Sequence, residues 1–317
     1  MKRIENLKWK PMWVSYLGCI KGCLEYLNVN VSDAWLFGAT GHAFIINIHD
    51  VVCASGPTAW NMEMLPRLAE NIGYTISGIS AFKTDDDFGE KQKSAWELVK
   101  QSINENLPCI GWELEIPEYY VINGYSDNGY YSSGPKPESG DKIKQWNELG
   151  NTQIGWLEVY AIKPKSSQNA LKTIKDAFGF VLEHSKNPKS WIFPKYKSGI
   201  EGFDTWINAL ETGKANGFGV SYNASVWSEC RSFGVEFLKE AKERINGKLS
   251  NLFDEAIKQY EIVSENLGKI SRIFPFPMKD EEVKDENLLN TASEYLKIAR
   301  KAEESGIRII EKIFTSI

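Results

Sequence analysis

Nowhere in this sequence does an apolar run approach the roughly 20 residues that a membrane-crossing helix requires, so no membrane partner is expected. Basic residues are not in excess either: 37 Lys and Arg stand against 42 Asp and Glu, a net charge of −5. A chain without a positive field does not attract a phosphate backbone, which removes nucleic acid from the expected partners. The opening Met1-Lys2-Arg3 is basic, but Glu5 and Lys8 interrupt any apolar stretch behind it, so no secretory leader is expected. Cysteine is sparse and odd in number: Cys19, Cys23, Cys53, Cys109 and Cys230. Such a set does not make a disulfide framework, and reduced thiols in a cytoplasmic protein are the simpler expectation. Histidine is scarcer still, with only His42, His49 and His184.

What is present fits an ordinary globular chain long enough for two cores. Composition changes around residues 163–167, so the expected domains are 1–165 and 166–317. In the first, 17–27 and 91–106 read as helices. Residues 44–48, 74–79, 109–116, 119–125, 130–132 and 156–162 read as strands. Ser126-Asp127-Asn128-Gly129 is turn chemistry between two of them. In the second domain, apolar residues recur at helical spacing: Phe203, Trp206, Ile207 and Leu210, then Phe253, Ala256, Ile257, Tyr260 and Val263, among others. Stripes of this kind are the core of a helical bundle. The expected class is therefore α+β followed by an all-α helical domain.

One stretch carries more. Ser15, Ile20, Leu24, Asn28 and Ser32, followed by Leu36-Phe37-Gly38, keep the spacing of a Cys helix with Leu five and nine on, Gly thirteen on, Ser seventeen on, and a Phe-Gly pair. Further along, Glu118-Tyr-Tyr-Val-Ile-Asn-Gly-Tyr125 is similar to a strand of the form His-aromatic-Val-Val-Val-x-Gly-Tyr, and Pro108-Cys-Ile-Gly111 matches its usual upstream partner. Over roughly its first half the chain thus resembles the butirosin biosynthesis protein H family, which shares the papain-like fold of bacteriocin-processing cysteine peptidases. The resemblance implies a papain-like, cysteine-proteinase-type N-terminal domain and acyl-transfer or amide- or thioester-hydrolysing chemistry on a small-molecule or acyl-carrier substrate. It puts the cysteine slot on Ser15, the histidine slot on Glu118, and the orienting residue near Gly134-Pro135. All three positions depart from the family's pattern, and a serine needs a rebuilt activating base to replace a thiolate. The rival expectation is a catalytically inactive relative that binds a small molecule or acyl chain in the same cleft.

Other residues compete for the chemistry. Cys19, one helical turn after Ser15, is an alternative nucleophile, against the plainer expectation of a small packed side chain. His42 is an even number of residues from Phe44, Ile46 and Ile48, hence on the apolar face of a regular strand, as a base or a hydrogen-bonded core histidine. His49 would point the other way, so no metal site is expected, and no cofactor. His184 reads as a solvated helix end. Glu113 and Glu115 alternate with apolar residues as in a half-exposed strand. Trp35, Trp60, Tyr119 and Asn123 are the candidate ligand-binding residues, although core filling is the default for aromatic rings.

Overall fold

The computed structural model describes residues 1–136 and 142–317. Numbered along the chain, its strands and helices are β1 (Lys2–Arg3), α1 (Ser15–Tyr26), α2 (Asp33–Ala39), β2 (Asn47–His49), α3 (Leu65–Ile72), β3 (Tyr74–Phe82), α4 (Phe88–Asn104), β4 (Cys109–Trp112), β5 (Tyr119–Tyr125), β6 (Gly129–Ser133), β7 (Ile143–Gln145), β8 (Trp156–Pro164), α5 (Ala170–Lys186), β9 (Tyr196–Ser198), α6 (Gly199–Glu211), α7 (Gly217–Arg244), α8 (Ser250–Ile273) and α9 (Glu286–Ser316). They gather into two units. The first is Met1–Val31 with Ile72–Ser167, and the second is Ser32–Asn71 with Gln168–Ile317.

In the first unit an antiparallel sheet runs β3-β8-β4-β5-β6-β7, with β1 added beside β5. Helix α1 packs on β5 and β4 and is buried along nearly its whole length. Gly18 and Gly22, one turn apart, let the preceding segment lie against it: a Cβ on Gly22 would come within 2.0 Å of the Lys8 carbonyl oxygen. The Lys10 amide uses that closeness to donate to the Gly18 carbonyl at 3.1 Å. Asn28, with φ of 57°, ends the helix in the left-handed region. From α4, the Gln92 amide group donates to the carbonyls of Asn147 and Leu149, both at 2.8 Å, and so holds the chain ahead of β8.

The strand expected over 109–116 stops at Trp112. Glu113 takes φ of 56° and is buried, so the alternation at Glu113 and Glu115 belongs to a loop and not to a half-exposed strand. The turn before β6 closes as expected, Ser126 N–H donating to the Gly129 carbonyl at 2.8 Å.

The second unit is mainly helical, with α7, α8 and α9 packed in sequence and α6 against α9. Gly247, at φ of 69°, follows the end of α7, and Pro275 follows α8. It is not all-α, because β2 and β9 pair over Asn47–Ser198, Ile48–Lys197 and His49–Tyr196. Nor does it begin at residue 166, since it includes Ser32–Asn71.

The reason is visible on α7. Arg231, fully buried, donates from Nη1 to the carbonyls of Ala43 (3.0 Å) and Ile45 (2.9 Å), and from Nη2 to that of Phe44 (3.0 Å). Its Nε and Nη2 also reach the Glu303 carboxylate at 2.9 Å. Residues 43–45 thereby satisfy their carbonyls on a side chain, and the strand expected over 44–48 shortens to Asn47–His49. Trp35 and Phe37 of α2 pack on Phe237 and Phe233 of α7, anchoring the same excursion. Among the described residues, no helix is long and apolar enough to cross a membrane.

Candidate functional site

The first unit brings Ser15 and Glu118 together. Ser15 is the first residue of α1, behind an extended Val14 that supplies no side-chain cap. Its hydroxyl donates to Glu118 Oε2 and accepts from the Tyr119 amide at 3.0 Å. The serine is buried at 3% exposure, whereas the glutamate is half-buried. Thus the two positions that the resemblance marks as nucleophile and base are hydrogen-bonded partners, 103 positions apart in the sequence.

Glu118 is held by the loop between β4 and β5. Glu113 N–H donates to the Glu118 carbonyl at 2.9 Å, and Glu118 N–H to that of Ile116 at 2.7 Å. The Glu113 carboxylate accepts from Thr152 Oγ1 at 2.7 Å, so the left-handed turn is tied to the chain before β8. Gly134 occupies the place expected for an orienting side chain. A Cβ there would come within 2.1 Å of the Tyr120 ring, so no side chain fits at that position without Tyr120 moving.

Behind Tyr119 lies a polar group that the sequence reading passed over. The Tyr119 hydroxyl donates to Glu158 Oε2, and the Tyr160 hydroxyl to Glu158 Oε1 at 2.7 Å. Burial raises the Glu158 carboxyl to about 7, against the opposing pull of the two tyrosine hydrogen bonds. The signal was present in the alternation of Trp156, Glu158 and Tyr160 on one face of β8, a glutamate where a core strand places apolar residues.

Cys19 is fully buried on α1. Burial, and then the nearby Cys23 and Glu118, push its thiol well above the ordinary value. A protonated, enclosed thiol is an interior packing group and not a nucleophile. Asn123 is buried too, its amide donating to the Leu7 carbonyl at 3.2 Å to hold the N-terminal segment against β5.

The remaining candidates belong to the second unit. His42 is buried, with Nδ1 2.9 Å from Thr40 Oγ1, and burial together with the neighbouring His184 lowers it to about 3. An imidazole so depressed is a weak base, and its burial and bond to Thr40 fit the hydrogen-bonded core histidine that was one of the two roles expected of it. Trp35 is buried between Phe237 and the Arg244 guanidinium, 4.0 Å above its ring. Trp60 is buried, its ring N–H donating to the Pro57 carbonyl at 3.0 Å. Both tryptophans are core and not ligand platforms. His184 is the opposite of the solvated helix end expected of it: it is fully buried, and burial lowers it to about 4. His49, on β2, accepts the Val51 amide at 3.3 Å. Among the described residues, no group of three His, Cys, Asp or Glu side chains is placed to hold a metal ion.

Sequence comparison adds nothing to this geometry. No protein-family model matches the chain, and no curated protein matches it either.

Proposed function

We propose that the first unit is a papain-like domain whose reactive pair has been replaced by the Ser15–Glu118 hydrogen bond, and that the protein binds a small molecule or acyl chain without turning it over. One observation carries the reading. The Ser15 hydroxyl is buried, gives its proton to Glu118 and accepts the Tyr119 amide, so its hydrogen bonds serve the fold. A nucleophile needs its oxygen open to a carbonyl carbon and a base poised near the working pH. Cys19 and His42, the other groups available for that work, are respectively enclosed as a thiol and neutral in the second unit. The segments that meet at Ser15 and Glu118 carry Trp13 and Ile116, 37% and 39% exposed, which offer apolar surface beside a carboxylate.

A second reading keeps catalysis. Ser15 leads a helix and donates to a half-exposed carboxylate, the relation a general base has to an alcohol nucleophile. Incubation with an acyl thioester and a fluorophosphonate, followed by intact mass, separates the two. The binding reading expects no adduct. An acyl or phosphonyl group on Ser15, absent from Ser15→Ala, would establish the enzyme instead. Thermal shift with fatty acids of graded length tests binding itself, and the absence of any stabilisation across the series sinks it. The papain-like placement has its own test. Ser15→Cys combined with Glu118→His should restore a thiolate–imidazolium pair, read as iodoacetamide labelling near pH 6 that neither single variant shows.

A further inference from the structure

We infer that the first unit's edge strand, β3, is a self-pairing surface through which two copies of this chain form one continuous antiparallel sheet. Among the described residues strand β3 pairs only with β8 in its sheet, over an unbroken register from Tyr74–Pro164 to Phe82–Trp156. Bounded by Gly73 and Lys83, the nine residues Tyr-Thr-Ile-Ser-Gly-Ile-Ser-Ala-Phe contain no charge, no proline and no bulge. Those are the devices by which proteins ordinarily blunt an exposed edge. Ser77, Gly78, Ser80 and Phe82 are exposed, and Ile76 and Ile79 are half-buried.

The hydrogen-bond parity identifies which groups face outward. Lys165 N–H donates to the Gly73 carbonyl at 2.8 Å, and Lys83 N–H to the Gly155 carbonyl at 2.8 Å, so odd-numbered residues of β3 turn their peptide groups toward β8. In an antiparallel ladder the even-numbered ones then turn away from it. At one end this is directly visible, since the Phe82 amide leaves the sheet to donate to Asp85 Oδ2 at 2.8 Å. Between the ends, Ile76, Gly78 and Ser80 have no backbone partner beyond the β8 ladder among the described residues.

A two-fold axis at Gly78 matches these groups to themselves. Gly78 exchanges both hydrogen bonds with Gly78 of the partner subunit, and Ile76 does so with Ser80 of the partner subunit. Phe82, already capped, falls at the end opposite Tyr74 of the partner subunit. The charges at the two ends are complementary under the same axis. Beyond Phe82 stand the exposed Asp85, Asp86 and Asp87. Beside the other end, β8 carries exposed Lys163 in register with Thr75, and exposed Lys165 follows it. Antiparallel pairing sets the acidic turn of each copy over the basic end of the other.

Sedimentation velocity on the full chain from about 1 to 100 μM tests the surface. A dimer weakened by salt is expected. Ile76→Lys with Ser80→Lys places like charges opposite each other twice, as does Ile76→Glu with Ser80→Glu. Each double variant should raise the dimer Kd by about tenfold or more, and an equimolar mixture should recover the dimer. Circular dichroism verifies that both remain folded. A chain monomeric at 100 μM, variants that dimerise unchanged, or folded variants whose mixture stays monomeric would overturn the inference. Hydrogen exchange on the unmodified chain requires no variant at all. The Ile76, Gly78 and Ser80 amides should slow about tenfold as concentration rises through the dimerisation range, and rates independent of concentration count against the pairing.

Discussion

His42 and His184 lean edge-on against the same indole, their ring centroids 5.7 and 5.6 Å from that of Trp60. Phe180 closes on His184 at 5.8 Å and stacks on Trp60 at 6.1 Å. Both imidazoles are kept neutral, at about 3 and about 4, against the ordinary 6.5 that the unfolded chain regains.

Below about pH 6.5 the unfolded state therefore binds protons that the folded state refuses, and the second unit loses stability as pH falls toward 4. The contribution is complete above pH 6.5. For His184 alone it amounts to about 3 kcal/mol. Urea unfolding of His184→Phe at pH 7 and pH 4.5 should show a smaller acid loss than the parent chain. An equal loss would mean that His184 does not enter the titration.

Glu158 acts in the opposite sense. Its carboxyl is raised from 4.5 to about 7, so the folded first unit holds a proton that the unfolded chain releases. Stability from this group is present below about pH 4.5 and is lost as pH rises through 7. Between pH 4.5 and 8 the difference in unfolding free energy between Glu158→Gln and the parent should move by up to about 3 kcal/mol in favour of the variant. At low pH the variant should be the less stable of the two, because a glutamine offers one oxygen to the two tyrosine hydroxyls. A difference that stays constant with pH would show that Glu158 binds its proton equally in the folded and unfolded chain.

Arg231→Met removes the partner of a buried carboxylate and uncovers the carbonyls of Ala43, Phe44 and Ile45. A cost of about 3–5 kcal/mol is expected in chemical denaturation. Combining it with Glu303→Leu should recover part of that loss, since no unpaired charge then remains in the core. If the double variant is no better than the single one, the carbonyl bonds and not the ion pair carry the energy.

Helix α1 and strand β5 were legible from apolar periodicity, close to the expected 17–27 and 119–125, and the two residues singled out at their starts, Ser15 and Glu118, meet in a hydrogen bond. His42 shows where such reading stops. Parity along a strand says which face a side chain takes but not what covers that face, and the residues flanking His42 are claimed by Arg231, 188 positions away from Ala43. Nothing local in Ala43-Phe44-Ile45 announces a guanidinium on α7. His184 failed for a related reason. Lys186 and Asn187 beside it are polar, yet the histidine sits on α5 one turn after Phe180, with its ring against Phe180 and Trp60. Cys19 was readable both ways, and burial decides for packing.

The excursion of Ser32–Asn71 into the helical unit separates those residues in synthesis from the partners they fold on. A ribosome delivers residues 32–71 long before Arg231 and Glu303 exist to receive them. Neither unit can be cut out as one uninterrupted stretch of polypeptide. Severing the chain after Ser167 would strand an apolar ribbon, Trp35 through Trp60, with no counterpart to fold on.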